Sequence, residues 1–336
     1  MSSCEDGLAG PTEQVGDASA SGHITLLFTV QADSPEPLLQ GSRGAGLCID
    51  SDQPVCEVHA MATPGEGRVV ASGDFADGRL HSTVIEELAL LIPEMADYDW
   101  SFEQVCRLPT QQGFGLSAAG ALSAAMAAQR ALGLDEEDSR VRSFHIAHLV
   151  ERRLSGGLGD VAALWAGGVD LRREPGCPDF GEPAELGGPG LVESWHEEIS
   201  MILAWRETAA RHTSSYIDDP EWKQRITESA EGLLPTLMEG DWDSSRWAEL
   251  LAAATEFADL SGLSTDANRS ELLEWAERSS SGHQVSCHLC MLGESVVILP
   301  PLNAPLSEVS IVEISSRLRQ EGLHYAVATL SSDSLR

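Results

Sequence analysis

The stretch that most restricts the fold is RLPTQQGFGLSAAGALSAAMAAQRALGL, residues 107–134. Gly113 and Gly115 precede Ser117 and a run of alanines that Gly133 stops. Alanine is the best helix former, and glycine ends helices by adopting the left-handed region. The pattern predicts a helix over 117–132, entered through a loop that glycine alone turns freely. The question it raises is whether that loop holds a phosphate or is only a flexible entrance to a buried helix.

Three phosphate-loop patterns compete. A Walker-type loop needs a lysine after its last glycine, and Lys223 is the chain's only lysine, so that pattern is excluded. A Rossmann fingerprint is formally present at Gly113, Gly115 and Ala118, with Asp135 in the place of the ribose-binding acid. That motif comes straight off a strand, however, whereas Pro109 and TQQ intervene here, and Asp135 reads as a helix N-cap. The third pattern is a glycine loop that wraps phosphates at the start of the next helix, where free amides and the dipole favour anions. Ser117, on the first turn, then offers a hydroxyl to Mg²⁺ or to a phosphate oxygen.

The neighbouring segments favour the third pattern. DEEDSRVRSFHIAHLVERRL reads as a second helix carrying Glu151, and Asp160 follows after Gly156, Gly157 and Gly159. Phosphoryl transfer asks for a metal on the phosphate oxygens, a carboxylate at the acceptor hydroxyl and donors for the spreading charge. Mg²⁺ takes one or two carboxylates and fills its shell with phosphates and water. Alone, Glu151 reads as a solvated helix residue and Asp160 as an N-cap. With Ser117 beside them they read as a site.

Charge limits the partners. There are 53 acidic against 21 basic residues, a net −32, spread along the chain. Such a surface stays soluble by self-repulsion and cannot replace the counterions of a nucleic-acid duplex. The acidic, lysine-poor composition resembles cytosolic proteins of salt-loving archaea, where salt screens the repulsion. Lys223 reads as exposed, so charge stabilisation falls to Arg, His, backbone amides or metal. Seven scattered cysteines suit reduced thiols. The Cys287–Cys290 pair lacks a second pair at zinc-site spacing, and His145 with His148 reads as packing or surface. No apolar run reaches membrane-span length and no basic-then-apolar leader opens the chain, so a cytoplasmic protein without membrane or nucleic-acid partners is expected.

Along the chain, residues 1–20 read as a disordered acidic extension and 21–176 as a first domain. The segment CPDFGEPAELGGPG, 177–190, reads as an interdomain linker, and 191–336 as a second domain. The second half shows helices near 220–238, 244–259, 268–279 and 307–321. Strands and helices alternate without clean βαβ repetition, which predicts an α+β protein of two domains.

PTQQGFGLSAAGALS resembles the central P-x-x-x-G-x-G-x-S-[SA]-A motif of the galactokinase, homoserine kinase, mevalonate kinase and phosphomevalonate kinase (GHMP) superfamily. GHIT at 22–25, GSRGAG at 41–46 and GGLGDVAALWAGGVDLRREPG at 156–176 resemble the archaeal pantoate kinases within it, as does CMLGESV at 290–296. The resemblance implies an N-terminal domain like the second domain of ribosomal protein S5 and a ferredoxin-like C-terminal domain. It implies ATP and pantoate as substrates, with self-association into a homodimer left open. ATP would lie over Gly113, Gly115, Leu116, Ser117, Ala118 and Ala119. Ser117 and Glu151 would hold Mg²⁺, Asp160 would face the acceptor hydroxyl, and His23 would touch the acceptor or the γ-phosphate. Arg43 and Arg172 are the candidates for the acceptor's carboxylate, since planar guanidinium suits it. Leu116 stands where many relatives have Ser, and the third glycine-rich motif of the superfamily is degenerate in SSSGHQVSCHLCMLGES.

Overall fold

The computed structural model describes residues 13–75, 77–181, 183–207 and 219–336. Two sheets carry the described chain. The first has four strands, β1 (Gln14–Ala20), β4 (Cys56–Pro64), β6 (Tyr98–Cys106) and β5 (Val69–Gly73), side by side in that order. Against it pack α1 (Arg79–Leu91) and α2 (Leu116–Ala131), and α3 (Glu136–Arg153) packs on these two helices. The alanines of α2 let it lie close to β1. A Cβ on Gly16 of β1 would sit 2.2 Å from the Ala127 carbonyl oxygen, so helix and strand meet backbone to backbone. Asp135 caps α3 through hydrogen bonds from the amides of Glu137 and Asp138, each 3.1 Å. A capping carboxylate at a helix start cannot also end a strand as a ribose-binding acid, which removes the Rossmann pattern.

The second sheet runs through both halves of the chain. Its first-half strands are β2 (Gly22–Phe28), β3 (Gly44–Asp50), β7 (Val169–Glu174) and β8 (Leu191–Trp195), with α4 (Asp160–Ala166) leading into β7. Its second-half strands are β9 (Ser200–Trp205), β10 (Ser286–Leu289), β11 (Ser295–Leu299) and β12 (His324–Leu330). The order is β10-β11-β9-β12-β3-β7-β8, with β2 paired to β3. Within the second half the strands lie in the ferredoxin-like order fourth, first, third, second. Helices α5 (Pro220–Leu237), α6 (Trp247–Leu260) and α7 (Ala267–Ser280) precede β10, and α8 (Glu308–Gln320) precedes β12. The fold class is the expected α+β. No helix among the described residues is long and apolar enough to cross a membrane.

Two expectations about organisation are corrected. The expected disordered extension is in part strand: Gln14–Ala20 pairs antiparallel with β4, and residues 1–12 lie outside the described chain. Gly16, Ala18 and Ala20 alternate inward there, small residues that give no hydrophobic signal but fit beneath α2. The expected interdomain linker 177–190 instead joins two antiparallel neighbours, β7 and β8, in one sheet.

Candidate active site

The chain leaves β6, turns through residues 107–115 and enters α2. Gly113 (φ +80°) and Gly115 (φ +65°) both occupy the left-handed region. A Cβ on Gly113 would stand 2.8 Å from the Cys290 carbonyl oxygen, and one on Gly115 would stand 3.0 Å from the His23 amide nitrogen. The loop is thus wedged between β2 and the 290–293 turn. His23 N–H donates to the Phe114 carbonyl at 3.0 Å and secures it. Helix geometry leaves the first amides of α2 without intrahelical acceptors, and the dipole adds positive potential at that end. Gly113, Gly115, Leu116 and Ser117 line a cavity of about 320 Å³. Ala118 and Ala119 are buried behind the loop, and the Ala119 amide already donates to the Gly115 carbonyl at 3.1 Å. Their expected part in holding phosphate is corrected accordingly for Ala119, whose amide is occupied.

Two carboxylates face the same cavity. Glu151, in the last turn of α3, is 1 % exposed; its Oε2 accepts from Ser117 Oγ at 3.1 Å and from the Gly157 amide at 2.6 Å. Burial, and then the neighbouring charge of Asp160, push Glu151 up to about 7, against the opposing pull of Arg152 and of those two hydrogen bonds. Asp160 opens α4, with its Oδ1 2.7 Å from His23 Nδ1. Burial alone would raise Asp160, but the hydrogen bond and charge of His23 hold it below the usual carboxylate value. Gly156 and Gly157 make this approach feasible, since a Cβ on either would strike the Glu151 or the Asp160 carboxylate.

Behind Asp160 lies a second layer that corrects the expectations for His23 and Arg172, and Arg43 is corrected separately. His23 does not face the cavity. It is fully buried, with Nδ1 on Asp160 and Nε2 2.9 Å from Asp170 Oδ2. Burial disfavours imidazolium, yet the two carboxylates outweigh it and His23 titrates above its ordinary value. Arg172 is also fully buried, with Nη1 3.6 Å from Asp170 Oδ1, directly beneath Gly159. Arg43 is turned away from the cavity: its Nη1 grips both oxygens of Glu231 on α5, at 2.9 and 2.7 Å, and its Nε donates to the Arg173 carbonyl. The sequence reading missed Asp170. Its one signal was a carboxylate inside the otherwise apolar strand GGVDL.

The remaining lining residues include Thr25, Phe28, Ser42, Phe75, Met291 and Leu292. Arg79 also lines it. Ser117 and Glu151 present hard oxygen donors beside an anion-favouring loop. Two such donors are what Mg²⁺ takes from a protein when phosphate and water complete its shell, so these residues fit the metal. His145 and His148 bond instead to the carbonyls of Leu186 and Pro37 and serve packing.

Residues 84–168 match the family description "GHMP kinases N terminal domain". A pantoate kinase of Thermococcus kodakarensis is 33 % identical over 160 residues, which is 47 % of this chain and 52 % of that protein. The chain thus aligns with about half of that relative's length. Among solved structures, a "phosphotransferase related to CoA biosynthesis pathway" superposes with a TM-score of 0.74 at 23 % identity, covering 96 % of this chain and 98 % of the other. A mevalonate kinase superposes with a TM-score of 0.64 at 12 % identity, covering 95 % and 99 %. The matched segment holds the Gly113–Ser117 loop, α2, Glu151 and Asp160, and the chain has the two-domain α+β fold of the GHMP kinases.

Proposed function

We propose that the chain is a kinase that transfers the γ-phosphoryl group of ATP to the hydroxyl of pantoate, in coenzyme A biosynthesis. The observation that carries the kinase reading is the convergence of the Gly113–Ser117 loop, Glu151 and an ionised Asp160 on one cavity. The choice of pantoate is supported by the relative named above. The loop amides and the start of α2 bind the phosphates, and Ser117 with Glu151 would hold Mg²⁺. When bound, that ion neutralises charge on the phosphate oxygens. Asp160 accepts the proton of the acceptor hydroxyl as its oxygen bonds to phosphorus and ADP departs. His23 keeps that carboxylate ionised and aimed. Arg172, beneath the cavity floor at Gly159, contributes positive potential where an acceptor carboxylate would lie.

The test is ADP release with ATP and Mg²⁺, at low and at molar KCl, offering pantoate, pantothenate, homoserine and mevalonate separately. Turnover with pantoate is expected. Turnover confined to another acid replaces the acceptor and keeps the kinase, and silence with all four in folded protein overturns the kinase reading.

A further inference from the structure

Outside the cavity, the described chain holds one pair of thiols set face to face. Cys56 opens β4 and Cys106 ends β6, and they are direct register partners across the antiparallel pair. The adjoining rung is hydrogen-bonded, Arg107 N–H to the Val55 carbonyl at 2.8 Å. Hydrogen-bonded and non-hydrogen-bonded rungs alternate, so Cys56 and Cys106 occupy the close kind, whose Cα atoms stand about 4.5 Å apart. The Cys106 amide accordingly bonds not to Cys56 but to Asp74 Oδ2 at 2.7 Å. A Cα separation of that size lies at the near edge of the range that a disulfide spans, about 4.4–6.8 Å.

The two sulfurs also share a donor. Gln104 Nε2 is 3.4 Å from Cys56 Sγ and 3.6 Å from Cys106 Sγ. Gln104 Oε1 faces His81 Nε2 at 2.9 Å, which turns the amide nitrogen toward both thiols. Cys56 is fully buried and Cys106 is part-exposed, so a small oxidant reaches Cys106 first. The thiol of Cys56 and then the Gln104 amide donate toward Cys106 and hold it below the ordinary cysteine value, against burial and the charge of Asp74. Cys56, as the donor of that pair and buried, is pushed well up. An accessible, more acidic thiol beside a protected partner is the arrangement of an attacking and a resolving cysteine.

We propose that Cys56 and Cys106 are a redox-active dithiol that closes reversibly to a disulfide under peroxide-class oxidants. The Cys106 thiolate attacks one peroxide oxygen, the O–O bond breaks, and a proton completes the departing water, leaving sulfenic acid on Cys106. The Cys56 sulfur then attacks that sulfur; the S–O bond breaks, the hydroxyl leaves as a second water with the Cys56 proton, and the S–S bond forms. Two thiols are oxidised and one hydrogen peroxide is reduced. The bridge staples β4 to β6 where the chain departs for the phosphate loop.

The experiment treats the reduced full-length protein with a small excess of hydrogen peroxide, quenches it with an alkylating reagent, and maps the peptides by mass spectrometry. Two of the seven thiols are expected to vanish, with the mass of two hydrogens lost and a Cys56–Cys106 cross-linked peptide that dithiothreitol reverses. Cys56→Ser is expected to leave a sulfenic acid on Cys106 that dimedone traps, whereas Cys106→Ser leaves Cys56 reduced. The proposal is overturned if all seven thiols still alkylate, if either residue bridges to another cysteine, or if Cys106 proceeds to sulfinic acid with Cys56 reduced. None of these readouts uses catalytic activity, so they stand apart from the phosphotransfer reading.

Discussion

Replacing Glu151 by Gln separates what this side chain does for a bound phosphate from what it costs the fold. The carboxyl is 1 % exposed, and burial with the nearby Asp160 charge lifts it from 4.5 to about 7. The sign follows from proton counting. As pH rises through the interval between those values, the unfolded chain loses its proton while the folded chain keeps it, so stability falls. Above the folded value the cost is complete. At about 1.4 kcal/mol per pKa unit, it amounts to about 3 kcal/mol. Gln is neutral throughout and retains an oxygen for Ser117 and the Gly157 amide. In chelator, therefore, urea unfolding at fixed high salt should show the variant matching the native chain near pH 4 and exceeding it by about 3 kcal/mol near pH 8. Adding Mg²⁺ and ATP should stabilise the native chain, by about 2.7 kcal/mol at a hundredfold excess over Kd, and leave the variant unmoved. A stability difference that is flat with pH would refute the reasoning, and so would equal nucleotide stabilisation of the two proteins.

Asp160→Asn should lower kcat by about 10²–10⁴-fold with nucleotide affinity kept, read by ADP release and by thermal shift with ATP; full activity would remove Asp160 as the base. Asp170→Asn should lower kcat roughly tenfold at constant KM for ATP, because a charge-assisted hydrogen bond to His23 becomes a neutral one. The stability that raised His23 supplies is complete below its unfolded value of 6.5 and is lost as pH rises through the folded value, so this variant should lose it at lower pH; an unchanged profile would refute the pairing. Gly115→Ala should cost about 1–2 kcal/mol for its left-handed backbone and raise KM for ATP, since the new Cβ presses on the His23 backbone. Arg43→Ala should cost under about 1 kcal/mol, its ion pair with Glu231 being part-exposed, with kinetics unchanged; a raised KM for the acceptor acid would return Arg43 to the site.

Elements with a strong local pattern were legible in the sequence. The helix expected at 117–132 spans Leu116–Ala131, and those expected near 220–238 and 307–321 span Pro220–Leu237 and Glu308–Gln320. Their signals, alanine content, caps and apolar spacing, lie within the segment itself. Strand β1 was not legible because its inward residues are Gly16, Ala18 and Ala20, and small residues mark a strand only when a partner that demands close approach is known. That partner, α2, lies about a hundred residues downstream. The loop 177–190 carries the glycine and proline content of a linker, yet only the pairing of β7 with β8 shows that it returns the chain to the same sheet.

The site divides along the same line. Gly113, Gly115, Ser117, Glu151 and Asp160 declare themselves through short spacings, and the structure brings them to one cavity. The layer behind them joins His23, Asp160, Asp170 and Arg172 from strands and loops far apart in sequence, and no local pattern reports it. The glycines of GSRGAG show how a correct local signal acquires the wrong object. They suggest close backbone approach, and close approach occurs, but not to a ligand of Arg43. A Cβ on Gly46 would stand 2.4 Å from His23 Nε2, and one on Gly44 would stand 2.8 Å from Arg172 Nη2. These glycines make room for the buried side chains of His23 and Arg172. In a chain of net charge −32, cations at the surface are readily paired off by surrounding acids, as Arg43 is by Glu231. Burial among Asp160 and Asp170 keeps His23 and Arg172 out of such pairing, and because neither lines the cavity, the groups that hold Asp160 below the usual carboxylate value are ones the cavity does not show.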